Sequence, residues 1–121
     1  MRYLLLIGSD TKTGTPPSPA QSQATLQAFM RFSEEAQKAG KTVVAERLRP
    51  EAEARRVRVK AGHPLVTDGP FAETKEALGG YYLIDVDSID EALEWAAKIP
   101  SARYGTIEVR PIVMRQAEVS A

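Results

Sequence analysis

Asp68 stands in the densest concentration of reactive side-chain types in the chain, the run from Thr67 through Gly69, Pro70, Phe71, Glu73, Thr74 and Lys75 to Glu76. A carboxylate beside an aromatic ring in a partly apolar pocket is raised toward neutrality and can serve as a general acid or base. The same Asp-Gly-Pro sequence is also good turn chemistry, the Asp68 carboxylate then accepting backbone N–H groups as an Asx-turn. Glu73 and Lys75 could line a polar cleft, with Lys75 anchoring an anion, or could be the solvated charges of one exposed helical turn. Gly79 and Gly80 would let a ligand or a partner's backbone approach closely, or would simply end that turn before a strand. Tyr82, with Tyr81 and Trp95, could stack on a ligand, although aromatic residues on strands and core-facing helices mostly pack. Asp68 is thus the candidate catalytic residue, and Phe71, Glu73, Lys75, Gly79, Gly80 and Tyr82 are the ligand-binding candidates.

Other chemistries have less to work with. The chain contains no cysteine and a single histidine, His63. Disulfides, thiolate nucleophiles and zinc–thiolate sites are therefore absent, and a metal at His63 would need carboxylates for its remaining ligands. Neither GxGxxG nor the P-loop lysine spacing occurs, so no cofactor is expected. Arg56, Arg58 and Lys60 alternate along one segment and could receive an acidic partner, but charges on a strand edge also block unwanted pairing. Sixteen basic and sixteen acidic side chains cancel, which leaves no long-range field for nucleic acid or an anionic membrane surface. The apolar run near the N-terminus is too short for a signal peptide or a membrane span, and a cytoplasmic protein is expected.

These residues need a scaffold, and the chain suggests one domain over residues 1–121. Tyr3–Ile7 reads as a buried strand closed by Gly8, Ser9 and Asp10. Thr11–Pro17, rich in turn formers, reads as a mobile loop. Ser18, Pro19 and Gln21 form a capping box opening a helix to about Ala39, with Leu26, Phe29, Met30, Ser33, Ala36 and Gln37 at helical spacing, Phe32 widening that stripe, and Gly40 as terminator. Strands follow at Thr42–Arg47 and Arg55–Lys60, then a hairpin loop at Ala61, Gly62 and His63 and a short strand at Pro64–Thr67. The segment from Thr67 to Gly80 interrupts regular structure. Tyr81–Val86 forms a strand, Ser88 and Glu91 a second capping box for a helix ending near Ile99, and Thr106–Val113 the last strand. Residues 115–121 read as a tail.

The order is the split β-α-β pattern of an α+β, ferredoxin-like domain with an inserted hairpin. Two helices can cover only one face of its antiparallel sheet. Yet Leu4 and Leu6 are apolar on one parity while Tyr3, Leu5 and Ile7 are apolar on the other, and Tyr81 and Leu83 oppose Tyr82, Ile84 and Val86 in the same way. A second copy stacked on the open face is the simplest cover, so a homodimer is expected.

The run TDGPFAETKE, with LGGYYLIDV after it, the helix ending EWAAKIP and the closing IEVRPI, resembles the DGPF branch of the YCII-related family over nearly the whole chain. The resemblance implies a ferredoxin-like fold that dimerises as an α/β barrel. It implies no settled activity: family members are described as possible enzymes because of a His–Asp pair in one branch, and some accompany extracytoplasmic-function sigma factors. Asp68 matches the acidic member of that pair. The histidine lies near the start of the first helix in that branch, where this chain reads SPAQSQATL, and its role does not transfer to His63. Two functions are therefore expected: a small-molecule enzyme or ligand-binding protein with its cleft near Asp68, or a regulatory module that contacts a sigma factor or another regulator.

Overall fold

The computed structural model describes residues 1–10, 18–69, 76–103 and 105–114. The expected mobile loop at Thr11–Pro17 and the tail at residues 115–121 lie outside them. In chain order the elements are β1 (Arg2–Asp10), α1 (Pro19–Lys38), β2 (Thr42–Arg47), β3 (Arg55–Lys60), β4 (His63–Asp68), β5 (Glu76–Asp85), α2 (Ile89–Lys98) and β6 (Thr106–Pro111), with short 3₁₀ turns at Glu51–Glu53 and Pro100–Arg103. Four strands form an antiparallel sheet in the order β2-β5-β1-β6, and β3 pairs with β4 as a separate two-stranded ribbon. This is the split β-α-β topology with an inserted hairpin.

Local chemistry sets most of these boundaries. The Ser18 hydroxyl accepts from the Gln21 amide at 3.1 Å while Gln21 Oε1 accepts from the Ser18 amide at 2.8 Å, satisfying two orphan donors of α1. Gly40, at φ +71°, ends that helix in the left-handed region. At the tip of the ribbon Ala61 and Gly62 both have positive φ, the requirement of a tight hairpin turn whose twist matches its strands.

The core lies between the helices and one face of the sheet. Tyr3, Leu5, Tyr82, Ile84 and Val86 from the strands meet Phe32 of α1 and Ala92 and Ala96 of α2, with Ile99 fully buried beside them. Phe32 is the hinge of this packing, edge-on to Tyr82 at 5.1 Å and to Trp95 at 6.2 Å between ring centroids.

Several expectations need correction. β1 does not close at Gly8 but continues to Asp10, and β5 begins at Glu76, so Gly79 and Gly80 lie inside a strand. Ile7 pairs with Gly80 and Gly8 with Leu78, which makes Gly79 the extra residue of a β-bulge. His63 is the first residue of β4, opposite Lys60, not part of the turn. β6 stops at Pro111. In α1 the buried stripe is narrower than the spacing suggested: Leu26 and Met30 are exposed, as is Gln37. The second capping box is half formed. Ser88 accepts from the Glu91 amide at 3.2 Å, but the Glu91 carboxylate turns to Lys41 and Trp95, each at 3.4 Å.

Two tests follow from this packing. A methyl group added at Gly80 would come within 2.8 Å of the Glu46 carbonyl oxygen, whereas one at Gly79 finds its nearest atom at 3.9 Å. Gly80→Ala should therefore force β2 from β5 and lower stability by about 1–3 kcal/mol in urea unfolding, with Gly79→Ala close to neutral. Burial pushes the Glu91 carboxyl up, but a hydrogen bond from the Asp87 backbone, the Lys41 ammonium and the Trp95 indole together outweigh it and hold it below the ordinary glutamate value. A carboxyl lowered on folding contributes stability that is complete above its unfolded value and lost as pH falls through the folded one. Glu91→Gln should therefore be less stable than the parent near neutrality, the gap closing as unfolding is measured below about pH 4.5.

Candidate functional site

Asp68 is the last residue of β4, directly opposite Arg55 in the ribbon. Its Oδ1 accepts from Arg55 Nη1 at 3.0 Å, and both side chains are largely exposed, 86% for Asp68 and 73% for Arg55. Among the described residues its partner is thus a guanidinium, while the residues after Gly69 that would close an Asx-turn lie outside them. The turn begins one residue later: Gly69 adopts φ +100° and donates its N–H to the Ala54 carbonyl at 2.8 Å. Phe71, Glu73 and Lys75 lie outside the described residues.

The other candidates belong to the four-stranded sheet. Gly80 is buried where the backbone of β2 approaches, so the close approach it permits is taken by Glu46 of its own chain. Tyr82 is a core residue whose hydroxyl lies 2.9 Å from the hydroxyl of Ser33, which helical spacing places on the sheet-facing stripe of α1 without showing its partner. Asp68 and Tyr82 are therefore on different sheets. Arg55 was missed, although its pairing was readable: counting outward from the Ala61-Gly62 turn brings residue 55 opposite residue 68.

Some of the remaining charges sort into ordinary pairs. Glu108 and Arg110 lie 3.7 Å apart along β6, and Arg49 reaches Glu53 at 2.9 Å. Arg58 and Lys60 stay exposed on the ribbon face that also carries Leu65 and His63. No cluster of three His, Cys, Asp or Glu side chains able to hold a metal occurs among the described residues. No described helix is long and apolar enough to cross a membrane.

What the described residues leave open is the sheet face turned away from the helices. Leu4 pairs with Leu83, and Leu83 with Val44; Leu6 pairs with Tyr81, and Tyr81 with Glu46. On the other side Leu4 meets Arg110 and Leu6 meets Glu108. The result is an apolar patch of Leu4, Leu6, Tyr81, Leu83 and Val44 with a charged rim.

A family model for the YCII-related domain matches residues 1–115. The chain belongs to the YCII-related family. An uncharacterised protein of Rhizobium meliloti (strain 1021) is 37% identical over 116 residues, covering 94% of each chain. The match spans every described element of this YCII-related chain.

An exposed ion pair contributes little, so Asp68→Asn and Asp68→Ala should each change stability by no more than about 1 kcal/mol. Tyr82→Phe, which removes a hydroxyl bonded inside the core, should cost about 1 kcal/mol. Urea midpoints of the three variants, compared side by side, check both statements.

Proposed function

We propose that this YCII-related protein works as a homodimer with stacked sheet faces, and that it is a small-molecule enzyme or ligand-binding protein with its cleft near Asp68. The observation that carries this reading is the apolar patch of Leu4, Leu6, Tyr81 and Leu83, half-buried at the sheet centre, with exposed Val44 beside it and no described helix over it. A continuous apolar face on a central sheet favours association, and a self-complementary patch rimmed by both charge signs suits a two-fold interface. In a single chain the Asp68 carboxylate is largely exposed beside Arg55, and a functional carboxylate gains from apolar surroundings. A second copy that closes over the hairpin would supply them and would turn an exposed ion pair into a polar anchor for a bound molecule. Asp68 is then the acid, base or anchor, and Arg55 its positioning partner.

Sedimentation at micromolar concentration should give about twice the chain mass, consistent with an interface on the order of 1,600 Å² in total. Leu6→Asp should yield a folded monomer, since it places a charge at the patch centre without entering the core. Asp68→Asn should remain dimeric and lose whatever ligand a metabolite screen finds with the parent protein. A monomeric parent would refute the stacked dimer, and full ligand binding by Asp68→Asn would remove Asp68 from the site.

A further inference from the structure

On the helix side of the sheet α1 and α2 are separated by small side chains. Ala24 and Ala28 of α1 and Ala97 of α2 line a groove of about 720 Å³, with Phe32 and Ile99 contributing to its apolar floor. Its charged lining is unbalanced. Lys98 is neutralised by Glu35 at 2.9 Å and sits over the Trp95 ring at 4.7 Å. Arg31 and Arg103 line the same groove. On α1 the carboxylates within helical reach of Arg31 are Glu34 and Glu35, and both are engaged, Glu34 by Lys38 at 3.1 Å and Glu35 by Lys98. Arg103 ends the 3₁₀ turn Pro100–Arg103, and the nearest acidic residue after it in sequence is Glu108, paired with Arg110. Among the described residues, two guanidiniums without carboxylate partners thus flank one apolar-floored concavity.

We propose that this groove binds a small organic carboxylate, a compact apolar body carrying one planar anionic group. A guanidinium presents parallel N–H donors that match a carboxylate, and two of them at one groove select an anion over a neutral molecule. The volume lies within the roughly 300–1,000 Å³ typical of small-molecule sites. Alanines in place of larger residues leave room for the apolar body, and Phe32 and Ile99 give it a floor. The groove shares none of these residues with the Asp68 hairpin or the open sheet face, so it stands or falls apart from the proposed dimer.

The test is a titration of the full chain with 2-naphthoate, followed by amide ¹H–¹⁵N shifts, with 2-naphthalenemethanol and inorganic phosphate as controls. Saturable shifts are expected at Ala28, Ala97 and Arg103 with naphthoate, and much weaker ones with either control. Arg31→Ala and Arg103→Ala should each weaken binding about tenfold, as loss of a charge-assisted hydrogen bond does. Ala28→Leu, which keeps both charges and fills the groove, should block it, and Asp68→Asn should leave it unchanged. The proposal is overturned if the alcohol or phosphate binds as well as naphthoate, if the arginine variants bind like the parent, if the shifts centre on Leu4 and Leu83, or if nothing saturates by about 10 mM.

Discussion

Both crossovers of the sheet run over the same side, and much else follows from that. β1 connects through α1 to β2, skipping β5, and β5 connects through α2 to β6, skipping β1. Each joins parallel strands, and such connections are right-handed almost without exception. Because β1 and β5 run in opposite directions, the two right-handed crossings travel opposite ways across the sheet and end above one face. That face receives Phe32, Ala36, Ala92 and Ala96 and becomes the core. The other receives nothing from the described chain, though Leu4, Leu6, Tyr81 and Leu83 make it apolar. A sequence that placed leucine on both parities of its central strand has specified a surface that its two described helices do not cover.

The elements were legible in proportion to how local their causes are. The Ser18 capping box, the Gly40 terminator and the limits of β2 and β3 depend on neighbouring residues, and all were readable. The start of β5 was not. Gly79 and Gly80 resemble a turn because glycine is depleted in strands, yet one is the bulge residue and the other admits the Glu46 backbone at a distance no side chain tolerates. Such a requirement arises from a strand distant in sequence. The α1 stripe is narrower than its spacing implies: Leu26 and Met30 match the helical period, but only Phe32 and Ala36 are fully buried.

At the candidate site the same division applies. The Arg55–Asp68 pairing is fixed by a two-residue turn and could be counted out from Ala61 and Gly62. Whether Tyr82 would join Asp68 depended on which sheet the inserted hairpin enters, and it enters neither edge of the four-stranded one. Motif proximity therefore overstated spatial proximity: fourteen positions along the chain, Asp68 to Tyr82, lead from an exposed ribbon to the centre of the core.

The ribbon adds an argument of its own. In β3 and β4, Val57 pairs with Val66 and Val59 with Pro64, and these valines are 61–71% exposed on one face, while Arg58, Leu65, Lys60 and His63 occupy the other. Two strands alone are marginally stable in water, because a hairpin with no third element buries too little apolar surface to offset the entropy of ordering it. A ribbon that is apolar on one side and basic on the other is therefore a half-finished layer in the same sense as the open sheet face. Both unfinished surfaces belong to the strands, while the helices carry the groove between them and a few exposed apolar side chains such as Leu26, Met30 and Leu93. Association through strands, with the helices left outward, is the arrangement that would complete both surfaces at once and still leave the Arg31–Arg103 groove facing solvent.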